Sequence, residues 1–93
     1  MVQIITLNKG NVIKRNDIER IINSARSTWH YARFNLPNNI YVTVIYNRDN
    51  TIEIATNSTN LAFYQQMQSI RRAWTQARIT DFLFVWLNKF LKG

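Results

Sequence analysis

Residues 40–56 read IYVTVIYNRDNTIEIAT and decide the fold of this chain. Two runs rich in Ile, Val, Tyr and Thr flank a polar tip at residues 47–50, a pattern that predicts a β-hairpin. The apolar side chains alternate along both runs, so one face of the hairpin is expected to be buried. A three-residue loop sets Val44 opposite Ile52 and Val42 opposite Ile54, whereas a loop of even length mixes the two faces. We therefore predict a three-residue loop over residues 47–49.

A strand and a helix are predicted before the hairpin. Residues 2–7 have the composition of a strand and are followed by a turn cluster. Asn16 stands three residues before Glu19, an arrangement similar to a capping box. Apolar residues then recur at helical spacing from residue 17 to about residue 34, and Pro37 disfavours helical geometry just beyond. This segment is predicted to be one helix.

Two more helices are predicted after the hairpin. Thr59 is the expected cap of the first, whose apolar face carries Phe63, Met67, Ile70, Trp74 and Ala77. The second is predicted over residues 80–92. Asp81 would lie on the continued apolar stripe of a single long helix, so a break is expected near residues 77–80, with Thr80 as the new cap.

The order of predicted elements is β-α-β-β-α-α, in one domain spanning residues 1–93. This places the chain in the α+β class, with helices packed on one face of a three-stranded, mainly antiparallel sheet. We favour the strand order 1-3-2, in which the first strand pairs with the last. In the alternative, the first strand lies parallel to the second through a right-handed crossover.

Twelve Lys and Arg residues against five carboxylates give a net charge of +7, which favours nucleic-acid phosphates or anionic surfaces as partners. The absence of cysteine excludes disulfides and thiolate metal sites. No secretory leader and no apolar run of about 20 residues are visible, so no membrane span and a cytoplasmic or intracellular location are expected. The abundance of Asn with little Gly or Pro suggests a viral or mobile-element source.

The residue types that catalysis requires are scarce. His30 has arginines rather than an orienting carboxylate as its predicted neighbours, which does not suit acid–base chemistry. Asp49 and Glu53 have a spacing similar to the acidic pair of metal-dependent nucleases, but Ala55 stands where such sites carry a lysine. We therefore expect no catalytic residue, no metal and no cofactor, and predict that the protein is not an enzyme.

Basic and aromatic side chains on the helix flanks are the candidate nucleic-acid contacts. Arg suits bidentate contact with phosphate, and Tyr can stack on a base or sugar. The candidates are Arg15, Arg26, His30 and Arg33 on the first helix and Tyr64, Arg71, Arg72 and Arg78 on the second. In the competing interpretation, charged side chains merely border the buried stripe and cover it with their aliphatic stems.

The C-terminal segment TDFLFVWLNKFLKG, residues 80–93, has an apolar arc approaching 200°, whereas one buried face needs about 100°. The helix could be wedged between sheet and neighbouring helix, buried in a partner chain, or placed in a membrane interface. We favour a symmetric partner, with a homodimer interface formed by Phe84, Trp86, Leu87 and Leu91.

These observations together predict a small non-enzymatic basic protein, a homodimer that contacts DNA or RNA phosphates through arginine-rich helix flanks. The alternative is a protein-interaction or inhibitor module that uses exposed aromatic and Arg residues against an acidic protein partner.

Overall fold

A computed structural model describes residues 3–92. Over this range the chain forms β1 (Gln3–Thr6), α1 (Arg15–Ser27), β2 (Tyr31–Asn35), a 3-10 turn (Pro37–Asn39), β3 (Tyr41–Tyr46), β4 (Ile52–Thr56), α2 (Leu61–Arg72) and α3 (Gln76–Lys92). The strands lie in the order β1-β2-β3-β4, with β1 parallel to β2 and the other pairs antiparallel. The α+β class is confirmed, whereas the predictions of three strands and of order 1-3-2 are wrong.

The first helix ends earlier than its apolar spacing predicts. Trp29 has a positive φ of 54°, which takes the backbone out of the helix. The Trp29 N–H donates to Arg26 O (3.2 Å) and the His30 N–H donates to Ala25 O (3.0 Å). These two bonds, together with the left-handed residue, form a Schellman motif, in which Trp29 takes the position usually held by Gly. Helix α1 therefore stops at Ser27.

The residues that follow form β2, a strand that helical spacing had assigned to the first helix. Ala32 and Phe34 are buried, and the residues on either side of them are half-buried, which is the alternation of a strand with one core face. Pairing with β1 on one side and β3 on the other makes β2 a central strand. Ala32 fits both periodicities, so the apolar pattern alone could not separate helix from strand here.

The hairpin is present, but its register differs from the prediction. Val44 lies opposite Ile54 and Tyr46 lies opposite Ile52, so five residues rather than three separate the strands. The shift is two residues, which leaves every side chain on its predicted face. Asn50, with φ 67°, supplies the left-handed position that the longer turn requires.

The helix caps and the break between the last two helices also lie at different residues. Lys14, not Asn16, precedes α1 and makes no side-chain cap. Asn60, not Thr59, caps α2, because its Oδ1 accepts the Phe63 N–H at 3.0 Å. The expected break exists but lies at residues 73–75, before the predicted site. Thr80 is buried inside α3, where its hydroxyl donates to Gln76 O.

The helices cover one face of the sheet and enclose a single core. Helix α3 packs against both α1 and α2, and its buried residues are Ile79, Thr80, Phe82, Leu83, Trp86, Leu87 and Leu91. Phe63 of α2 lies within 5.2–5.4 Å, between ring centroids, of three aromatic rings of α3. The wide apolar arc of the C-terminal helix is therefore largely occupied within its own chain.

Trp86, Leu87 and Leu91 are consequently unsuited to the predicted dimer interface, since they are at most 5% exposed in the single chain. Phe84 and the neighbouring Val85 remain at the surface. Within residues 3–92, no helix is long and apolar enough to cross a membrane.

Candidate nucleic-acid interface

Five arginines and one histidine lie at the same end of the sheet, and we call this group the arginine end. It comprises Arg26 at the end of α1, His30 before β2, Arg48 in the β3–β4 turn, Arg71 and Arg72 at the end of α2, and Arg78 in the first turn of α3. All six side chains are exposed. The sequence predicts four of these arginines and the histidine as nucleic-acid contacts, whereas it does not predict Arg48.

Direct contacts between the elements hold the arginine end together. The Tyr46 N–H at the end of β3 donates to His30 O at the start of β2 (3.1 Å). The indole N–H of Trp74, in the α2–α3 connection, donates to Asn50 O in the hairpin turn (3.3 Å). The Arg26 guanidinium lies over the Trp74 ring, 5.1 Å from its centroid. The ends of α1 and α2 and the hairpin turn therefore meet around Trp74.

Buried Tyr46 anchors Trp74 and the start of α3. The two rings meet edge to face, with 5.9 Å between centroids. The Tyr46 hydroxyl donates to Gln76 Oε1 (2.9 Å), and Gln76 Nε2 in turn donates to Asn23 Oδ1 (2.9 Å) on α1. Burial raises the pKa of Tyr46 to about 12, because removing the phenol from water disfavours its charged form.

No arginine of the arginine end pairs with a carboxylate among the described residues. The ion pairs within residues 3–92 lie elsewhere: they join Arg15 to Glu19 (3.2 Å) and to Asp81 (2.8 Å), and Arg20 to Asp17 (3.3 Å). Arg78 instead donates to Ala73 O at 2.6 Å, which satisfies a carbonyl at the end of α2. No carboxylate of residues 3–92 thus forms an ion pair with the positive charge at this end.

Helix dipoles account for part of this arrangement. Arg26, Arg71 and Arg72 lie in the last turns of α1 and α2, where a cation is favoured by about 0.3–1 kcal/mol. Arg78 lies in the first turn of α3, where the dipole disfavours a cation, and Arg48 lies in a turn. Stabilisation of helix ends therefore does not explain why all five arginines lie at this end.

Asp49 is the carboxylate nearest to Arg48 in the chain, and it is already engaged. Its Oδ1 accepts both the Thr51 N–H and the Thr51 hydroxyl, which lowers the pKa of Asp49. Glu53 accepts a hydrogen bond from Asn47 Nδ2 at 3.4 Å. These carboxylates thus serve the turn, and within residues 3–92 no cluster of three or more His, Cys, Asp or Glu side chains could hold a metal ion.

The structure separates three predicted contact residues from the arginine end. Arg15 is ion-paired in the first turn of α1, at the opposite end of that helix. Tyr64 is exposed near the start of α2. Arg33 is not on a helix at all, because it belongs to β2 and points away from the helices. The predicted helix flanks therefore do not form one continuous basic surface.

Arg33 instead lies on the uncovered side of the sheet, which we call the open sheet face. This face carries Tyr31, Arg33, Tyr41, Thr43, Ile45 and Glu53, which alternate with the core-facing residues of β2, β3 and β4. The Arg33 guanidinium lies 4.3 Å from the centroid of the Tyr41 ring, and its Nε donates to Asn35 Oδ1 at 2.8 Å. A cation stacked on an aromatic ring therefore occupies the two central strands.

Sequence reasoning missed Trp29, Trp74 and Arg48. Helical spacing assigned both tryptophans to buried stripes, yet Trp29 is 42% exposed and Trp74 lies in a connection. Arg48 looked like an ordinary turn residue. The Ser27-Thr28 pair, unfavourable inside a helix, was the available signal that α1 ends before Trp29.

Comparison with known proteins adds no assignment to this geometry. A scan of protein-family models, a search of curated proteins and a search of solved structures each returned no match to this chain. The functional argument therefore depends on the residues of the chain alone.

Proposed function

We propose that the protein is a non-enzymatic nucleic-acid-binding protein whose arginine end contacts phosphates. The observation that carries this proposal is the grouping of Arg26, Arg48, Arg71, Arg72 and Arg78 on one end, without an ion pair among the described residues. Guanidinium groups contact phosphate oxygens through two parallel N–H donors, and each contact releases condensed counterions. The net charge of +7 acts in the same direction by attracting polyanions.

The expected salt dependence follows from the number of arginines. Five phosphate contacts give a slope of about −3.5 to −4.5 for the logarithm of the binding constant against the logarithm of salt concentration. Raising the salt from about 50 to about 200 mM should then weaken binding roughly 100- to 500-fold. A shallow slope would contradict the electrostatic mechanism.

Paired alanine variants test the location of the site by fluorescence anisotropy with labelled DNA and RNA oligonucleotides. Arg71→Ala/Arg72→Ala should make the salt slope shallower by about 1.4–1.8. Lys9→Ala/Lys14→Ala is the matched control, because it removes the same charge from the exposed β1–α1 connection at the other end of α1. Equal effects of the two variants would mean that net charge, and not the arginine end, drives binding.

The homodimer remains a proposal, and it now rests on a smaller surface. Phe84 and Val85, 39% and 47% exposed, are the large apolar residues of α3 that remain exposed among the described residues. A two-fold dimer through them would present two arginine ends to one nucleic acid and so raise the apparent affinity.

A second candidate function, interaction with an acidic protein partner, is favoured by a groove of about 420 Å³ between α2 and α3. Ile70, Phe82 and Val85 supply apolar lining, and Arg78 supplies a cation, while the carboxylate of Asp81, which also lines the groove, is paired with Arg15. Absence of binding to DNA and RNA at about 50 mM salt, where counterion release favours binding, would support this alternative over the first proposal.

A further inference from the structure

We propose that the nucleic acid is single-stranded, with bases stacked on Trp29 and on the open sheet face while the arginine end holds the adjoining phosphates. This inference rests on the proposed function and names the class of ligand. The supporting observations are the position of Trp29 and the side chains of β2, the protein strand that follows it.

Trp29 combines an exposed indole with an unfavourable backbone conformation. Its φ of 54° is the left-handed geometry that Gly or Asn adopts readily and that a bulky side chain resists. The residue nevertheless stands between Arg26 and His30, with 42% of its surface exposed. Since helix termination alone would favour Gly at this position, the exposed ring points to a use in binding.

The open sheet face begins two residues after Trp29 in the chain. Tyr31 follows two residues later, within about 7 Å along the backbone, and Arg33 follows on the same face of β2. Tyr31 presents a half-buried ring from a central strand, and the half-buried ring of Tyr41 is covered by the Arg33 guanidinium, itself a planar group on which a base can stack. Aromatic side chains on such a surface stack bases of any sequence, because every base has a π face.

Arg33 is held in a position to contact a phosphate or a base of the bound single-stranded nucleic acid. Its guanidinium lies over Tyr41, and one of its five N–H groups donates to Asn35 Oδ1. The remaining donors lie beside a depression of about 400 Å³ that Thr6, Arg33, Asn35 and Tyr41 help to line. That volume is within the range of about 300–1,000 Å³ typical of small-ligand clefts.

Charge defines the path across this face. Arg33 on β2 attracts phosphate, whereas Glu53 on the edge strand β4 repels it. A single-stranded nucleic acid that enters at the arginine end is therefore directed along β2, over about 13 Å from Tyr31 to Asn35. This length accommodates only a few bases.

Duplex DNA or RNA fits these features poorly. Its bases are stacked inside the helix, so Trp29, Tyr31 and the Arg33 guanidinium could not reach their faces. Single-stranded segments can splay their bases onto aromatic rings while arginines follow the phosphates. The arrangement of rings beside cations therefore favours the single strand.

Fluorescence anisotropy with an oligothymidine of about 15 nucleotides and a duplex of the same length tests the inference. At about 50 mM salt we expect the oligothymidine to bind at least about tenfold more tightly. Trp29→Gly and Tyr31→Ala should each weaken oligothymidine binding about tenfold and leave duplex binding unchanged. Tyr64→Ala, which removes an exposed ring near the start of α2, is the matched control and should bind like the wild type.

Gly is well suited to the left-handed position of Trp29, so Trp29→Gly is expected to retain the end of α1. Quenching of tryptophan fluorescence provides a second measurement. Oligothymidine should quench the wild type more strongly than Trp29→Gly, which keeps only half-buried Trp74 at the arginine end and Trp86, which is 5% exposed. Absence of quenching at saturation would contradict stacking.

The outcomes distinguish this inference from the proposed function. If the duplex binds as tightly as the oligothymidine, or if Trp29→Gly and Tyr31→Ala both bind normally while Arg71→Ala/Arg72→Ala binds weakly, the single-strand inference is wrong and the proposed function stands. If neither nucleic acid binds, both are wrong.

Discussion

Replacing Tyr46 with Phe should make the protein less stable near neutral pH but more stable at high pH. Tyr46 is 2% exposed, and its hydroxyl donates to Gln76 Oε1 at 2.9 Å. Tyr46→Phe removes this hydrogen bond, at a cost of about 1 kcal/mol. The phenyl ring retains the edge contact with Trp74, so the core packing is otherwise conserved.

The pH dependence follows from the raised pKa of Tyr46. Its ordinary pKa is 10.0, and burial raises it to about 12 in the folded protein. The stabilisation is complete below pH 10 and declines as the pH rises through 12, because the unfolded chain loses its proton first. At 1.36 kcal/mol per pH unit, the wild type loses about 1 kcal/mol by pH 11 and about 3 kcal/mol in all. Tyr46→Phe has no such loss.

Urea unfolding followed by tryptophan fluorescence at about pH 8 and about pH 11 measures this difference. The wild type should be more stable by about 1 kcal/mol at the lower pH, and the difference should disappear near pH 11. Tyr64→Phe, which changes an exposed tyrosine, is the control and should match the wild type at about pH 8. A constant gap between wild type and Tyr46→Phe at both pH values would refute the reasoning.

Two further predictions concern packing and assembly. Phe63→Ala should lower the free energy of unfolding, measured in urea, by about 3–5 kcal/mol, because a fully buried ring in contact with three others is lost. The control Tyr64→Ala, at the next residue, should change the free energy of unfolding by less than about 0.5 kcal/mol. A loss below about 1.5 kcal/mol for Phe63→Ala would mean that the Phe63 ring is not what holds α2 against α3. If α3 joins two chains, light scattering should show a wild-type dimer and a Phe84→Glu monomer, whereas a monomeric wild type would rule out this interface.

The candidate site shows the limit of reasoning from helical wheels. Arg26 and Arg33 are seven residues apart and would share one flank of a continuous helix. The left-handed Trp29 between them sends Arg33 to the open sheet face, while Arg26 remains on α1. Arg71, Arg72 and Arg78 were predicted for one helix, and they are close to Arg26 only because α2 and α3 meet beside the hairpin turn.

The amino-acid sequence by itself determined the α+β class, the amphipathic strands of the hairpin, the cysteine-free composition and the excess of positive charge. These properties follow from composition and from alternation within short segments, which local chemistry controls. It could not determine the hairpin register, because a shift of two residues preserves every buried face.

Only the tertiary structure decided that residues 31–35 form a central strand, that α3 buries most of its apolar arc, and that arginines from four separate segments meet at one end. Each of these depends on contacts between residues far apart in the chain. Strand β2 exists because β1 and β3 pair with its two edges, and no local pattern contains that information.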